Sequence, residues 1–171
     1  MYHAMYLWPT LLLFALLPMT GCSTYDRDWN ALALTKEAPA PFPTTGILGR
    51  WEGKWHSVPS DHTGRLRCIV SALPSKPGRA ASGAEPSAAG GQYEFRFHAL
   101  WGWDFVSENT IEMEVRDEGG RYAFKGESDL GLFLGKYKCE GHIIGDRFIA
   151  TYSAAGDHGT FEMRRLVQAE K

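Results

Sequence analysis

The sequence lacks the features that most directly indicate a biochemical activity. Its 18 Lys and Arg residues are nearly balanced by 20 Asp and Glu residues, and no basic tract occurs. The charge pattern therefore predicts neither a nucleic-acid partner nor attraction to an anionic membrane surface. No catalytic or cofactor motif of high specificity is present, and nothing resembles a nucleophile elbow. We predict no cofactor, and the length of 171 residues favours one domain with a proper core.

A long apolar run is also missing. The longest such stretch, residues 5–19, is broken by Pro9 and Thr10 and is shorter than the roughly 20 residues of a membrane-spanning helix. It leads into Thr20-Gly21-Cys22, where small residues precede a cysteine. This ending resembles the lipobox of bacterial lipoproteins. The resemblance implies a signal peptide over residues 1–21, lipidation of Cys22, and export to a membrane-anchored position in the bacterial cell envelope. A plain cleaved signal or an uncleaved anchor, with Cys22 incidental, is the alternative.

The segment that follows, residues 22–45, is polar and then rich in proline. Such a composition predicts a tether between the lipidated N-terminus and the domain. Within it, one helical turn is expected over Asp28–Leu32. Asp28 would be its N-cap, and Trp29 would pack on the domain.

Apolar and charged residues alternate through Gly49–Trp55. Trp51 and Trp55 fall on one face, and Arg50 and Lys54 fall on the other. A period of two indicates a strand with one buried face. Seven further segments repeat this pattern. Their predicted inward residues are Leu66, Cys68 and Val70; Tyr93, Phe95, Phe97, Ala99 and Trp101; Ile111, Met113 and Val115; Tyr122 and Phe124; Tyr137, Cys139 and Ile143; Phe148, Ala150 and Tyr152; and Phe161, Met163 and Arg165.

Eight sequential strands without a helix between them predict an all-β fold, an eight-stranded antiparallel up-and-down barrel over residues 46–168. Residues 74–91, mainly Ala, Gly, Ser and Pro, are interpreted as a flexible insertion. Closure makes the last strand a neighbour of the first, which places Arg165 beside Trp51. A guanidinium over the indole would seal that end of the barrel. A register shift of one residue would give this role to Arg164.

Gly49-Arg50-Trp51 in the first strand and Arg165 in the last resemble the shared signature of the calycins, which include lipocalins, fatty-acid-binding proteins and avidins. The resemblance implies a calycin-like barrel in which Trp51 and Arg165 are a structural pair. It also implies binding of a small apolar or amphipathic molecule. We therefore expect an envelope binding protein rather than an enzyme.

Large rings on the predicted inner face indicate how such a ligand would be held. They form an apolar lining in which Tyr hydroxyls orient the bound molecule. The same rings can also fill a small eight-stranded barrel, which would then be a purely structural envelope module. The predicted lining residues are Trp55, Phe97, Trp101, Tyr122, Phe124, Tyr137, Tyr152 and Phe161.

Alternate connections of a meander lie at the same end of the barrel. The connections around Asp61, Asp104, Leu132 and Asp157 therefore share one end, here called the mouth, through which a ligand would enter. One of them, residues 130–134, is strongly apolar. This suits packing on the core, or contact with a membrane or a protein partner.

Two connections at the mouth repeat an Asp-His pair, Asp61-His62 and Asp157-His158. If the pairs face each other, they offer two imidazoles and two carboxylates to a divalent ion such as Zn2+. A metal-dependent enzyme is therefore the alternative function. In the other interpretation, each Asp caps its turn and each His bonds a loop carbonyl. We adopt the second interpretation and assign no metal ligands.

Cys68 and Cys139 fall in the middle of predicted strands. In an oxidising compartment they could pair, provided that their Cα atoms lie within roughly 7 Å. Their strands are far apart in the predicted order, which favours two buried free thiols. The sequence leaves both arrangements open.

Overall fold

The computed structural model describes residues 24–34, 46–73, 90–102, 105–129 and 135–166, which form one helix and eight strands. Within these ranges no helix has both the length and the apolar character needed to cross a bilayer. The predicted signal peptide and Cys22, the proline-rich residues 35–45, and residues 74–89, 104 and 130–134 lie outside the described residues. The elements are α1 (Thr24–Leu34), β1 (Gly49–Ser57), β2 (Thr63–Ala72), β3 (Gly91–Trp101), β4 (Phe105–Asp117), β5 (Arg121–Asp129), β6 (Lys136–Ile144), β7 (Arg147–Ala154) and β8 (Asp157–Arg165).

The eight strands form a closed antiparallel barrel in sequence order, so the predicted up-and-down fold is confirmed. β1 closes the barrel by pairing with both β2 and β8, and Trp51 lies opposite Cys68 on one side and Arg165 on the other. The alternating pattern produces this result because one face of every strand must be buried, and closure leaves no sheet edge exposed. Gly91, assigned above to the insertion, is instead the first residue of β3.

Trp51 and Arg165 lie together at the end opposite the mouth. The Trp51 side chain is fully buried, and the Arg165 Cζ atom lies 4.2 Å from its ring centroid. Arg165 donates hydrogen bonds to the carbonyl oxygen of Leu48 at 2.6 Å and to that of Gly46. Arg164 points to the outside and pairs with a surface carboxylate, so the register gives the indole contact to Arg165. The chain entering the barrel is thereby fixed to the last strand.

Helix α1 corrects part of the predicted tether. It contains 11 residues rather than one turn, and it packs on the outside of the barrel. Tyr25 and Trp29, one helical turn apart, are 1% and 5% exposed and contact Ile69 of β2. Asp28 is not a cap but lies inside the helix, where it accepts a hydrogen bond from Arg96 at 2.7 Å. That bond lowers the pKa of Asp28 below its ordinary value.

Three outward-facing arginines of β1–β3 hold the two helix rings. Arg50 and Arg67 place their Cζ atoms 5.3 and 5.0 Å from the Trp29 ring, and Arg96 lies 5.6 Å from the Tyr25 ring. These are cation–π distances, and each such contact contributes about 0.5–2 kcal/mol, more where water is excluded. The polar face of these strands is therefore a docking surface for α1.

Cys68 and Cys139 are free thiols in this structure, both on the inner face of the barrel and both buried. Burial raises the pKa of Cys139 to about 12 and that of Cys68 well above its ordinary value. A thiol rather than a thiolate is therefore present at neutral pH, so the two side chains act as small apolar core residues.

Candidate functional site: the mouth of the barrel

The topology places at the mouth the connections at residues 58–62 and 155–156, together with residue 102 after β3 and residue 135 before β6. The opposite end holds the entering segment before Gly49 and the turns at residues 118–120 and 145–146. The strand order thus separates the Trp51–Arg165 pair from any ligand-binding region at the mouth.

The eight predicted lining residues divide among three levels of the barrel. In the middle, Phe97 packs on Phe161 with ring centroids 5.3 Å apart, and Phe124 packs on Phe148 at 4.9 Å. Tyr122 lies near the opposite end, where it pairs with Asp117 and Ile143. Side chains of the protein itself therefore occupy the middle of the barrel. The lining residues near the mouth are Trp55, Trp101, Tyr137 and Tyr152.

Stacked rings form one wall of the mouth. Tyr152 lies between Tyr137 and Phe161, with centroid distances of 6.0 and 4.8 Å and interplanar angles of 12° and 16°. On another wall, Trp55 meets Trp101 edge to face at 5.9 Å. The Trp55 indole donates to the Leu100 carbonyl at 3.3 Å, which fixes the ring orientation. The mouth is therefore aromatic on two sides.

A polar cluster, consisting of Ser57, Ser60, Tyr152 and Asp157, lies beside the stacked rings. The Ser57 hydroxyl donates to Asp157 Oδ1 at 2.6 Å, and the Tyr152 hydroxyl donates to Oδ2 at 3.0 Å. Ser60 donates in turn to Ser57 at 2.8 Å. Burial, together with the hydrogen bond to the Asp157 carboxylate, raises the pKa of Tyr152 to about 12. Tyr152 is therefore neutral at physiological pH, and its hydroxyl donates a hydrogen bond to Asp157.

Two glycines make room for the rings of the mouth. A Cβ atom on Gly64 would lie 2.4 Å from Trp55 Nε1, and one on Gly159 would lie 2.9 Å from Tyr152 Cε1. The Gly159 position would also bring that atom to 1.8 Å from the His56 carbonyl oxygen. Because no larger residue fits either position unchanged, glycine in these strands allows close approach of ring and backbone.

The two Asp-His pairs do not form one site. Asp157 belongs to the polar cluster on the inner face of β8, whereas His158 lies on the outer face of β8 and is exposed. Asp61 is almost fully exposed and lies 3.0 Å from His56, and His62 is exposed. Across the described residues, no three His, Cys, Asp or Glu side chains come together as metal ligands would. The four side chains of the two Asp-His pairs therefore do not belong to one such group.

Exposed apolar residues continue the mouth outward along the β3–β4 hairpin. Trp101, Phe105 and Val106 are 36%, 66% and 52% exposed, and the first two rings stack at 5.8 Å. β4 pairs with β5 only from Glu114 onward, so the beginning of β4 pairs with β3 alone. We call Trp101, Phe105 and Val106 the mouth patch.

Sequence reasoning did not find the polar cluster. Ser57 and Asp157 are 100 residues apart in the chain. They meet only because β1 pairs with β8 in a register that places Ser57 opposite Gly159. The available signal was the inward parity of both residues, which continues the alternation of Trp51 and Phe161.

No protein-family model, curated protein or solved structure matches this chain.

Proposed function

We propose that this protein is an exported bacterial lipoprotein of the cell envelope whose calycin-like barrel binds a small amphipathic molecule at its mouth. The observation that carries the proposal is the position of the polar cluster directly beside the stacked rings of Tyr137, Tyr152 and Phe161. Apolar walls with a few fixed polar groups are typical of small-molecule sites. Such a site holds the apolar part of a ligand against the rings and its polar head against the cluster.

The charge of the site favours one class of head group. Along the described strands, Asp157 is the only charged residue at an inward position near the mouth. Its carboxylate attracts a cationic or hydrogen-bond-donating head and repels another carboxylate. The ligand class we propose is therefore a neutral or cationic amphiphile rather than a fatty acid.

The filled middle of the barrel limits the depth of the site. Phe97 packs on Phe161 and Phe124 packs on Phe148 in the middle of the barrel, so we expect no open path for a long chain along the barrel axis. The apolar part would instead lie across Trp55 and Trp101, which extend the aromatic surface outward. This arrangement fits a molecule bound at the mouth rather than one enclosed within it.

A titration followed by tryptophan fluorescence tests this proposal. The purified protein is titrated at neutral pH with dodecylamine and, separately, with dodecanoate, each below its micelle concentration. We expect dodecylamine to bind about tenfold more tightly, because a tenfold preference needs only about 1.4 kcal/mol from the carboxylate. Asp157→Asn should remove most of this preference. Asp61→Asn is the matched control, since this exposed carboxylate lies at the same end outside the interior.

Equal affinity for the two amphiphiles, or a preference unchanged in Asp157→Asn, would contradict the proposed site. The packed middle of the barrel favours a second candidate, a purely structural envelope module. Absence of saturable binding by either amphiphile would support that candidate.

The localisation in this proposal is based on Thr20-Gly21-Cys22, which follows the apolar stretch of residues 5–19. Acyl chains on one cysteine would hold the protein firmly, since each buried CH2 group contributes about 0.8 kcal/mol. The intact mass of protein extracted from membranes should correspond to a chain beginning at acylated Cys22. A mass that retains residues 1–21, or that shows Cys22 unmodified, would contradict lipidation.

A further inference from the structure

We propose that the mouth of the barrel faces the membrane and that the mouth patch contacts the lipid bilayer. This inference rests on the lipidation of Cys22 proposed above. It adds an orientation that the lipid anchor alone does not specify, and it would place the ligand site next to the lipid phase.

The direction of α1 is the first step. Near its start, Tyr25 stacks on His98 of β3 with centroids 4.7 Å apart. One turn later, Trp29 contacts Arg50, the second residue of β1. β3 runs toward the mouth and ends at Trp101, whereas β1 begins at the opposite end. The N-terminus of α1 therefore points toward the mouth, and its C-terminus points away from it.

The short distance from Cys22 to the docked helix is the second step. Cys22 precedes Thr24, the first residue of α1, by two positions. A chain spans at most about 3.6 Å per residue, so the anchored cysteine lies within about 7 Å of the start of the helix. A free tether over residues 22–45 would have allowed a separation of about 80 Å. The docked helix thus holds the barrel close to the membrane, with the mouth end facing the lipid.

The chemistry of the mouth end is the third step. In the described part of the chain, six large hydrophobic side chains are exposed, and four of them, Val58 and the three residues of the mouth patch, lie at this end. Trp and Phe are suited to the interface between headgroups and acyl chains, where an apolar ring is buried at the edge of the hydrocarbon. The anchor and the exposed rings therefore lie on the same side of the molecule.

Spin labels at two positions test the orientation in lipidated protein reconstituted into phosphatidylcholine vesicles. Val106→Cys places the label in the mouth patch, and Glu118→Cys places it in an exposed turn at the opposite end. Cys68 and Cys139 are buried and do not compete for the label in the folded protein. We expect the ratio of collisions with oxygen to collisions with a water-soluble nickel complex to be severalfold higher at position 106 than at position 118.

Equal ratios at the two positions, in protein whose intact mass shows acylated Cys22, would overturn the orientation while the anchor stands. A higher ratio at position 118 would overturn it as well. Protein with unmodified Cys22 would contradict lipidation, and the orientation would fail with it. The intact mass therefore separates failure of the orientation from failure of the proposed lipidation.

Discussion

Replacing Trp51 with Ala should lower the free energy of unfolding by about 3–5 kcal/mol. Trp51 is fully buried, packs on Phe148 with ring centroids 5.7 Å apart, and donates to the Ile47 carbonyl at 3.1 Å. Its loss leaves a cavity and removes the surface on which the Arg165 guanidinium lies. Urea denaturation followed by circular dichroism measures the change. The urea concentration at the midpoint of unfolding should fall, and the dependence of the free energy of unfolding on urea concentration should stay the same.

Trp101→Ala is the matched control for this variant. It removes the same side chain at the mouth, where Trp101 is 36% exposed and packs on Trp55 and Phe105. The expected loss is at most about 1.5 kcal/mol, the size of an aromatic pair contribution. Similar losses for the two variants would show that the end containing Trp51 is not the main packing point of the core.

Trp29→Ala should cost about 3 kcal/mol, although Trp29 lies outside the barrel. The side chain is 5% exposed, contacts Ile69, and lies beside the guanidinium groups of Arg50 and Arg67. Truncation leaves Tyr25 as the other large ring holding α1. The free energy of unfolding and the rate of amide hydrogen exchange in α1 both report the effect.

Asn30→Ala provides the control in the same helix, because Asn30 is exposed. This substitution should change stability by about 0.5 kcal/mol or less and leave exchange in α1 slow. If Trp29→Ala behaved like this control, docking of α1 would not contribute measurably to stability, and the orientation proposed for the membrane-anchored protein would lose its mechanical basis.

The barrel is predictable from the sequence because the alternation is strict in Gly49–Trp55 and in Tyr93–Trp101. Each strand must bury one face, and closing the sheet into a barrel removes the two exposed edge strands that an open sheet would have. The docked helix is harder to predict. Arg50, Arg67 and Arg96 read as solvent-facing residues by parity, and nothing local shows that each lies beside an aromatic ring of a distant segment.

The candidate site is predictable only in part. The stacking of Tyr137 and Tyr152 follows from their inward parity, but the partners of Asp157 depend on the exact register of closure. The sequence predicts a loop at the Asp157-His158 pair, whereas β8 already begins at Asp157. Successive side chains of a strand point to opposite faces, so the two cannot act on the same ligand.

Mass spectrometry of the lipidated protein, extracted gently from membranes, tests the proposed function most directly. The spectrum under native conditions is compared with that of the denatured protein. A native mass larger than the denatured mass by one small amphipathic molecule, with a neutral or cationic head, is the predicted result. The same extraction of Asp157→Asn should yield less of the bound form. Identical native and denatured masses, with no amphiphile captured on addition, would contradict a binding function for the mouth.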